Sequence, residues 1–335
     1  MLYATTRNQK ETCTAHRALT EARASDGGFY IPFRHPVFSR EDLQAMKEKN
    51  LREVSAELLG LLFGTRITGT ELGFVIGRHP VKLQKIDRRT LSCERWRNPG
   101  WSFQGSVREL SLKLRAEKPL AGEKPYGPWA EVGMGIASLF GTFSELSRLV
   151  EPEKKIDVAA ACDDLYSVLS ALYARDWGLP IGTVVAACQE STGLWDLLHS
   201  GQMRTDQPLP EGMELLICFC GGQREAQRFG EALGKGRPFI PMDLTLQRLR
   251  EALSVSVISK KRVLGTISGA WSSHGCLFSP DSALAYAGLL DYRAGSGTGG
   301  WGMILSDRGP SMDPALTARV LGVSEKQAGE ILNSI

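Results

Sequence analysis

The sequence predicts an α/β protein built on a parallel sheet and led by a mostly helical unit. Two observations carry that prediction. From Lys155 to Cys188 a buried apolar run (Lys155 to Ala161), a helical run (Leu165 to Trp177, ending at Gly178-Leu179-Pro180) and a second apolar run (Gly182 to Cys188) succeed one another. Strand, helix, strand with a short crossover is the mark of a parallel α/β unit. Before residue 78, by contrast, helical spacing dominates. At 335 residues, 42% hydrophobic and 23% charged, the chain suffices for one large or two moderate domains.

Composition narrows the partners and the compartment. A net charge of +3 with no long basic run gives no reason to expect nucleic acid. Seven cysteines at scattered spacing suit a reducing cytoplasm better than a disulfide framework. Met1 to Lys10 is polar, and apolar runs such as Val132 to Phe143 are too short to cross a bilayer, so a cytoplasmic protein with no membrane association is expected.

Taken in order, Leu2 to Thr6 reads as a short strand and Cys13 to Ala24 as a helix stopped by Ser25-Asp26-Gly27-Gly28, with Phe29 to Pro32 extended after it. Ser39 caps a helix over Glu41 to Lys49, and helices follow over Leu51 to Phe63 and Thr70 to Gly77. Val81 to Ile86 alternates as a strand does, and Leu91 to Glu94 runs toward a turn at Pro99-Gly100. Ser106 to Glu117 has helical spacing, and the Pro- and Gly-rich stretch near 117–128 reads as a linker. Glu211 to Cys220 could be taken for a strand, although a family resemblance set out below implies a helix there that ends at Gly221-Gly222. Helices are expected over Gln223 to Leu233, Leu244 to Leu253, Asp313 to Leu321 and Ser324 to Leu332, with a strand over Trp301 to Leu305. The glycine-dense Ala294 to Gly302 precedes a strand instead of following one, so it reads as a flexible surface loop and not a phosphate loop.

Several stretches together resemble the threonine synthase family of fold-type II pyridoxal phosphate (PLP) enzymes. Met1 to Arg7 followed by Ala24 to Pro32 is similar to the family's amino-terminal signature. Val81 to Gly105 is similar to the stretch leading into its Phe-His-Gly-Pro-Thr-x-x-Phe-Lys-Asp motif, and Gly275 to Ala287 to a segment near its end. The resemblance implies a helical amino-terminal domain over 1–78 and a fold-type II α/β domain over 79–335. It also exposes departures. Laid onto the motif, Ser111 falls where the family's Schiff-base lysine stands, and serine cannot form an imine. Lys113, two residues on, is turned by about 200° on a helix and makes a weak substitute.

The family's glycine-rich phosphate loop corresponds here to Ala161-Cys162-Asp163-Asp164-Leu165-Tyr166. Glycines that let N–H groups approach an anion are gone, and two carboxylates repel it; Asp163 and Asp164 read as helix caps or, with further ligands, as part of a cation site. The family's small cofactor-enclosing domain is reduced to the linker before Trp129. After the strand at Trp301 the family's substrate-holding motif is replaced by Ser306-Asp307-Arg308, in which Ser306 keeps a hydroxyl as a remnant. Asp281 or Ser282 stands at a histidine position of the family. His199 reads as a surface residue, and Cys218 and Cys220 diverge on a helix with no second pair to make a zinc site.

These readings imply a catalytically inactive, threonine-synthase-like pseudoenzyme that has lost PLP and acts by binding a protein partner or small ligand. Two alternatives stand beside it. One is a working PLP lyase or threonine synthase that acts on O-phosphohomoserine through Lys113 or another lysine. The other is a subunit that assembles with a genuine threonine synthase.

Overall fold

The computed structural model describes residues 1–63, 81–96, 105, 107–108, 127–147, 154–189, 192–206, 209–297 and 299–334. Ser111, Lys113 and the helix expected over Thr70 to Gly77 lie outside the described residues.

A small antiparallel sheet opens the chain. Strand β1 (Leu2–Thr5) lies between β2 (Cys13–Thr14) and β3 (Tyr30–Pro32). The helix predicted from Cys13 is shorter than expected: its first two residues pair with β1, and only α1 (Ala15–Thr20) is helical. Helix α2 (Arg40–Lys47) begins at Ser39 in a reciprocal capping box with Asp42, as its start signals require. Helix α3 covers Leu51–Phe63. The Tyr3 hydroxyl donates to the Leu62 carbonyl at 2.6 Å and accepts from Trp129 Nε1 at 3.2 Å, so β1 and α3 are tied to the next helix, α4 (Pro128–Leu146).

The core is one six-stranded sheet in the order β4-β5-β9-β6-β7-β8. Its strands are β4 (Lys82–Lys85), β5 (Thr90–Glu94), β6 (Ile156–Ala161), β7 (Ile181–Cys188), β8 (Leu253–Val257) and β9 (Trp301–Ser306). All neighbours run parallel except β4, which is antiparallel to β5. Thr90 to Glu94 is therefore a buried inner strand and not the approach to a turn. β8 and the helix after it, α9 (Lys260–His274), were not anticipated. Helix α8 (Asp243–Ala252) stops at Ala252, one residue before Leu253 enters the ladder with β7.

Side chains alternate across the sheet with the two-residue period of a strand. Val158, Ala160, Val184, Ala186, Met303 and Leu305 face one core, which α3, α4 and α5 (Tyr166–Asp176) complete. Ala159, Val185, Ala187 and Ile304 face the other, covered by α9 and α10 (Pro280–Ser296). The result is a three-layer α/β/α arrangement. Helices α4 and α5 approach closely at Gly135, where a Cβ would run into the Ser170 side chain. No second parallel sheet stands among the described residues.

Helix α6 (Gly193–Ser200) carries His199 exposed at its end and stacked on Trp195, in keeping with a surface role. Met213 to Gly234 forms α7, which breaks at Gly222 (φ 75°, ψ −175°); the helical alternative for Glu211 to Cys220, stopped at Gly221-Gly222, is the one adopted. The glycine-dense stretch begins inside a helix. Ala294 to Ser296 close α10, and the Arg293 guanidinium donates to Thr90 Oγ1 at 2.8 Å and to the carbonyls of Arg89 and Gly300. Helices α11 (Pro314–Leu321) and α12 (Glu325–Ser334) end the chain. Among the described residues no helix is long and apolar enough to cross a membrane.

Candidate functional site

Parallel strands place all their carboxyl ends on one edge, and in open α/β sheets that edge is where ligands bind. Here it carries Arg95 after β5, Asp307 and Arg308 after β9, and Asp163 and Asp164 after β6. Asp163, Asp164, Asp307 and Arg308, with Glu131 of α4, Tyr166 and Ser167 of α5 and Asp281 of α10, line a cleft of about 90 Å³, and Arg95 lies buried against Asp307 and Ser167.

The cleft is acidic, and its cations are engaged. Arg95, 2% exposed, donates to Ser167 Oγ at 2.7 Å and pairs with Asp307 at 2.5 Å. Asp307 also accepts from the Ser167 hydroxyl. Arg308 Nε lies 2.7 Å from Asp281, and its Nη2 lies 3.5 Å from Asp163. Burial and the neighbouring Asp307 push the Asp164 carboxyl up to about 6, and burial does the same to Asp281. The Tyr166 hydroxyl donates to Glu211 at 3.1 Å, and burial together with that carboxylate keeps the phenol protonated.

The predicted positions fare differently. Asp163 and Asp164 both reach the cleft. Only Asp164 caps α5, accepting from the Tyr166 N–H at 3.1 Å; the N-cap residue itself is Leu165, and Asp163 turns to Arg308. The cap reading is thus corrected for Asp163. Cys162 is buried and joined to Cys188 in a disulfide, a bridge that the scattered cysteine spacing, read as suiting a reducing cytoplasm, did not anticipate. Ser306 is 1% exposed, and its hydroxyl accepts from Trp96 Nε1 at 3.0 Å and meets Ser282 Oγ at 2.5 Å. It fastens β5, β9 and the start of α10 inside the protein and does not line the cleft. The cation-site reading finds no further ligands: among the described residues no three His, Cys, Asp or Glu side chains are grouped to hold a metal ion, Cys218 and Cys220 included.

Sequence reasoning missed Arg95, Glu131 and Ser167 and left Asp307 and Arg308 without a role. Glu131 sits in an apolar helical run and Arg95 just past a strand, so burial is their only signal, and burial is a tertiary property.

A PLP phosphate would need glycine N–H groups or an uncommitted cation at the end of β6. The described residues offer Asp163 and Asp164 there, with Asp281 and Asp307 close by, and both arginines of the edge already hold carboxylates. The arrangement does not fit a dianionic phosphate.

Comparison with known proteins defines the class. Residues 2–79 match the family described as threonine synthase N terminus. The fold is similar to that of PLP-bound threonine synthase from Brucella melitensis, with a TM-score of 0.78 at 16% identity, covering 96% of this chain and 92% of that one. Threonine synthase from yeast gives 0.79 at 14% identity, with 96% and 90% covered, and that from Escherichia coli 0.68 at 14%, with 97% and 92%. No curated protein sequence matches the chain. The fold is therefore threonine-synthase-like, of the fold-type II class, and identities this low establish the fold alone.

Proposed function

We propose that the chain is a threonine-synthase-like pseudoenzyme, which keeps the scaffold, does not hold PLP and acts by binding a protein partner or a small ligand. The observation that supports this reading best is the composition of the sheet's carboxyl edge. Four aspartates line the place where the family cradles phosphate, and Arg95 and Arg308 are paired with three of those carboxylates. Like charge at short range in a partly buried cleft disfavours a phosphate dianion by several kcal/mol. Ser111, which falls at the lysine position when the chain is laid onto the family motif, points the same way from the chemistry of imine formation.

The experiment is titration of the purified protein with PLP, followed by borohydride reduction and mass mapping of labelled lysines. The expected result is no saturable visible absorbance and no single preferred lysine adduct. A stoichiometric adduct at one lysine, Lys113 or another, would overturn the reading and locate an active site.

A further inference from the structure

Cys162 and Cys188 stand at the carboxyl ends of the adjacent parallel strands β6 and β7, with Cα atoms 5.2 Å apart and their sulfurs joined. The Cys162 N–H donates to the Ala187 carbonyl at 2.9 Å, so the strand ends are already paired by backbone. Asp163 and Asp164, the two carboxylates at the floor of the acidic cleft, follow Cys162 directly. Thr192 Oγ1 donates to Cys188 Sγ at 3.6 Å, which ties the start of α6 to the end of β7.

We infer that Cys162 and Cys188 form a redox site at the root of the acidic cleft, oxidised by a disulfide of the glutathione class, and that oxidation stiffens the loop presenting Asp163 and Asp164. The step balances as thiol–disulfide exchange. The Cys188 thiolate attacks one sulfur of the small disulfide and releases one small thiolate. Cys162, losing its proton, attacks the mixed disulfide at Cys188 and releases the second. Two electrons and two protons leave the pair, and two small thiols are formed. Both cysteines are about 1% exposed, so exchange passes through a locally opened state of the strand ends.

The other cysteines are poor competitors. Cys13, Cys93, Cys218, Cys220 and Cys276 carry no disulfide. Burial pushes the Cys93 thiol up to about 11 and those of Cys218 and Cys220 up to about 12, and none of the three lies in a disulfide. The inference is independent of whether the cleft holds a cofactor.

The test uses the full chain, equilibrated in glutathione buffers from fully reduced to fully oxidised, quenched in acid, and alkylated after unfolding. Seven alkylated cysteines are expected at the reduced end and five at the oxidised end, with one cross-linked peptide pair containing Cys162 and Cys188. Amide exchange from Asp163 to Ser167 should be several-fold slower in the oxidised protein. The variant C188A should abolish both changes, and C13S should leave both intact. Seven alkylated thiols at the oxidised end, a cross-link elsewhere, or identical exchange in the two states would each overturn the inference. Because the exchange comparison is made on the wild-type chain, it stands even if C188A fails to fold.

Discussion

Arg95 and Asp307 form an ion pair at the junction of β5 and β9, with the guanidinium almost wholly buried and Ser167 bridging both partners. Removing one member of such a pair leaves the other's charge in a medium that solvates it poorly, at a cost of roughly 3–5 kcal/mol when burial is complete. Asp307 is 28% exposed, so D307A is expected to lie toward the lower end, about 3 kcal/mol, and D307N, which keeps an acceptor for Ser167, to cost less. Urea denaturation of the three proteins measures it. Equal midpoints for D307A and the wild type would remove the pair from any account of how the edge is held.

The cleft carboxylates predict a pH dependence with a definite sign. Asp164 and Asp281 are pushed up to about 6 in the folded protein, against about 3.9 for an unfolded aspartate. Between about pH 4 and about pH 6 the folded chain therefore keeps protons that the unfolded chain has released, and stability falls as pH rises through that window. Above it, each group carries its full cost, at most about 3 kcal/mol for a rise of this size. D164N and D281N should gain stability relative to the wild type at about pH 7.5 and lose that advantage at about pH 4.5. An advantage that is the same at both pH values would contradict the elevated carboxyls.

A second buried acid fastens the amino-terminal segment to the core. Glu214 of α7, 3% exposed, accepts from Thr6 Oγ1 at 2.6 Å and from Arg7 Nη2 at 2.7 Å, while Arg23 Nη1 lies 3.9 Å away. E214A should cost roughly 3 kcal/mol and expose Arg7 and Arg23 to trypsin, because the same carboxylate satisfies a buried hydroxyl and a half-buried guanidinium. E214Q should fall between E214A and the wild type. Unchanged cleavage rates at both arginines would show that the first strand is held by backbone pairing alone.

Much of the architecture was legible in the chain. Leu51 to Phe63 became a helix with the predicted ends, and Lys155 to Cys188 became β6, α5 and β7 within a residue or two. Long periodic apolar segments declare themselves because the same side chains that make the period are the ones buried. β8 was illegible: Leu253 to Val257 follows an amphipathic helix without a turn signal, and its strand form comes from pairing with β7. β5 was obscured in a similar way, since its polar Thr90, Ser92 and Glu94 hide a strand that is buried along its whole length.

By itself the sequence determined the α/β class, the parallel β6-α5-β7 unit, the resemblance to threonine synthases and the presence of Asp163 and Asp164 directly after β6. Each of these is written in local patterns and residue types that need no neighbour to be read. The tertiary structure alone decided which distant groups meet: Arg95 with Asp307, Asp281 with Arg308, Cys162 with Cys188 and Thr6 with Glu214. Those encounters join residues up to 212 positions apart, and the burial that gives them their strength exists only once the sheet has brought its carboxyl ends to one edge.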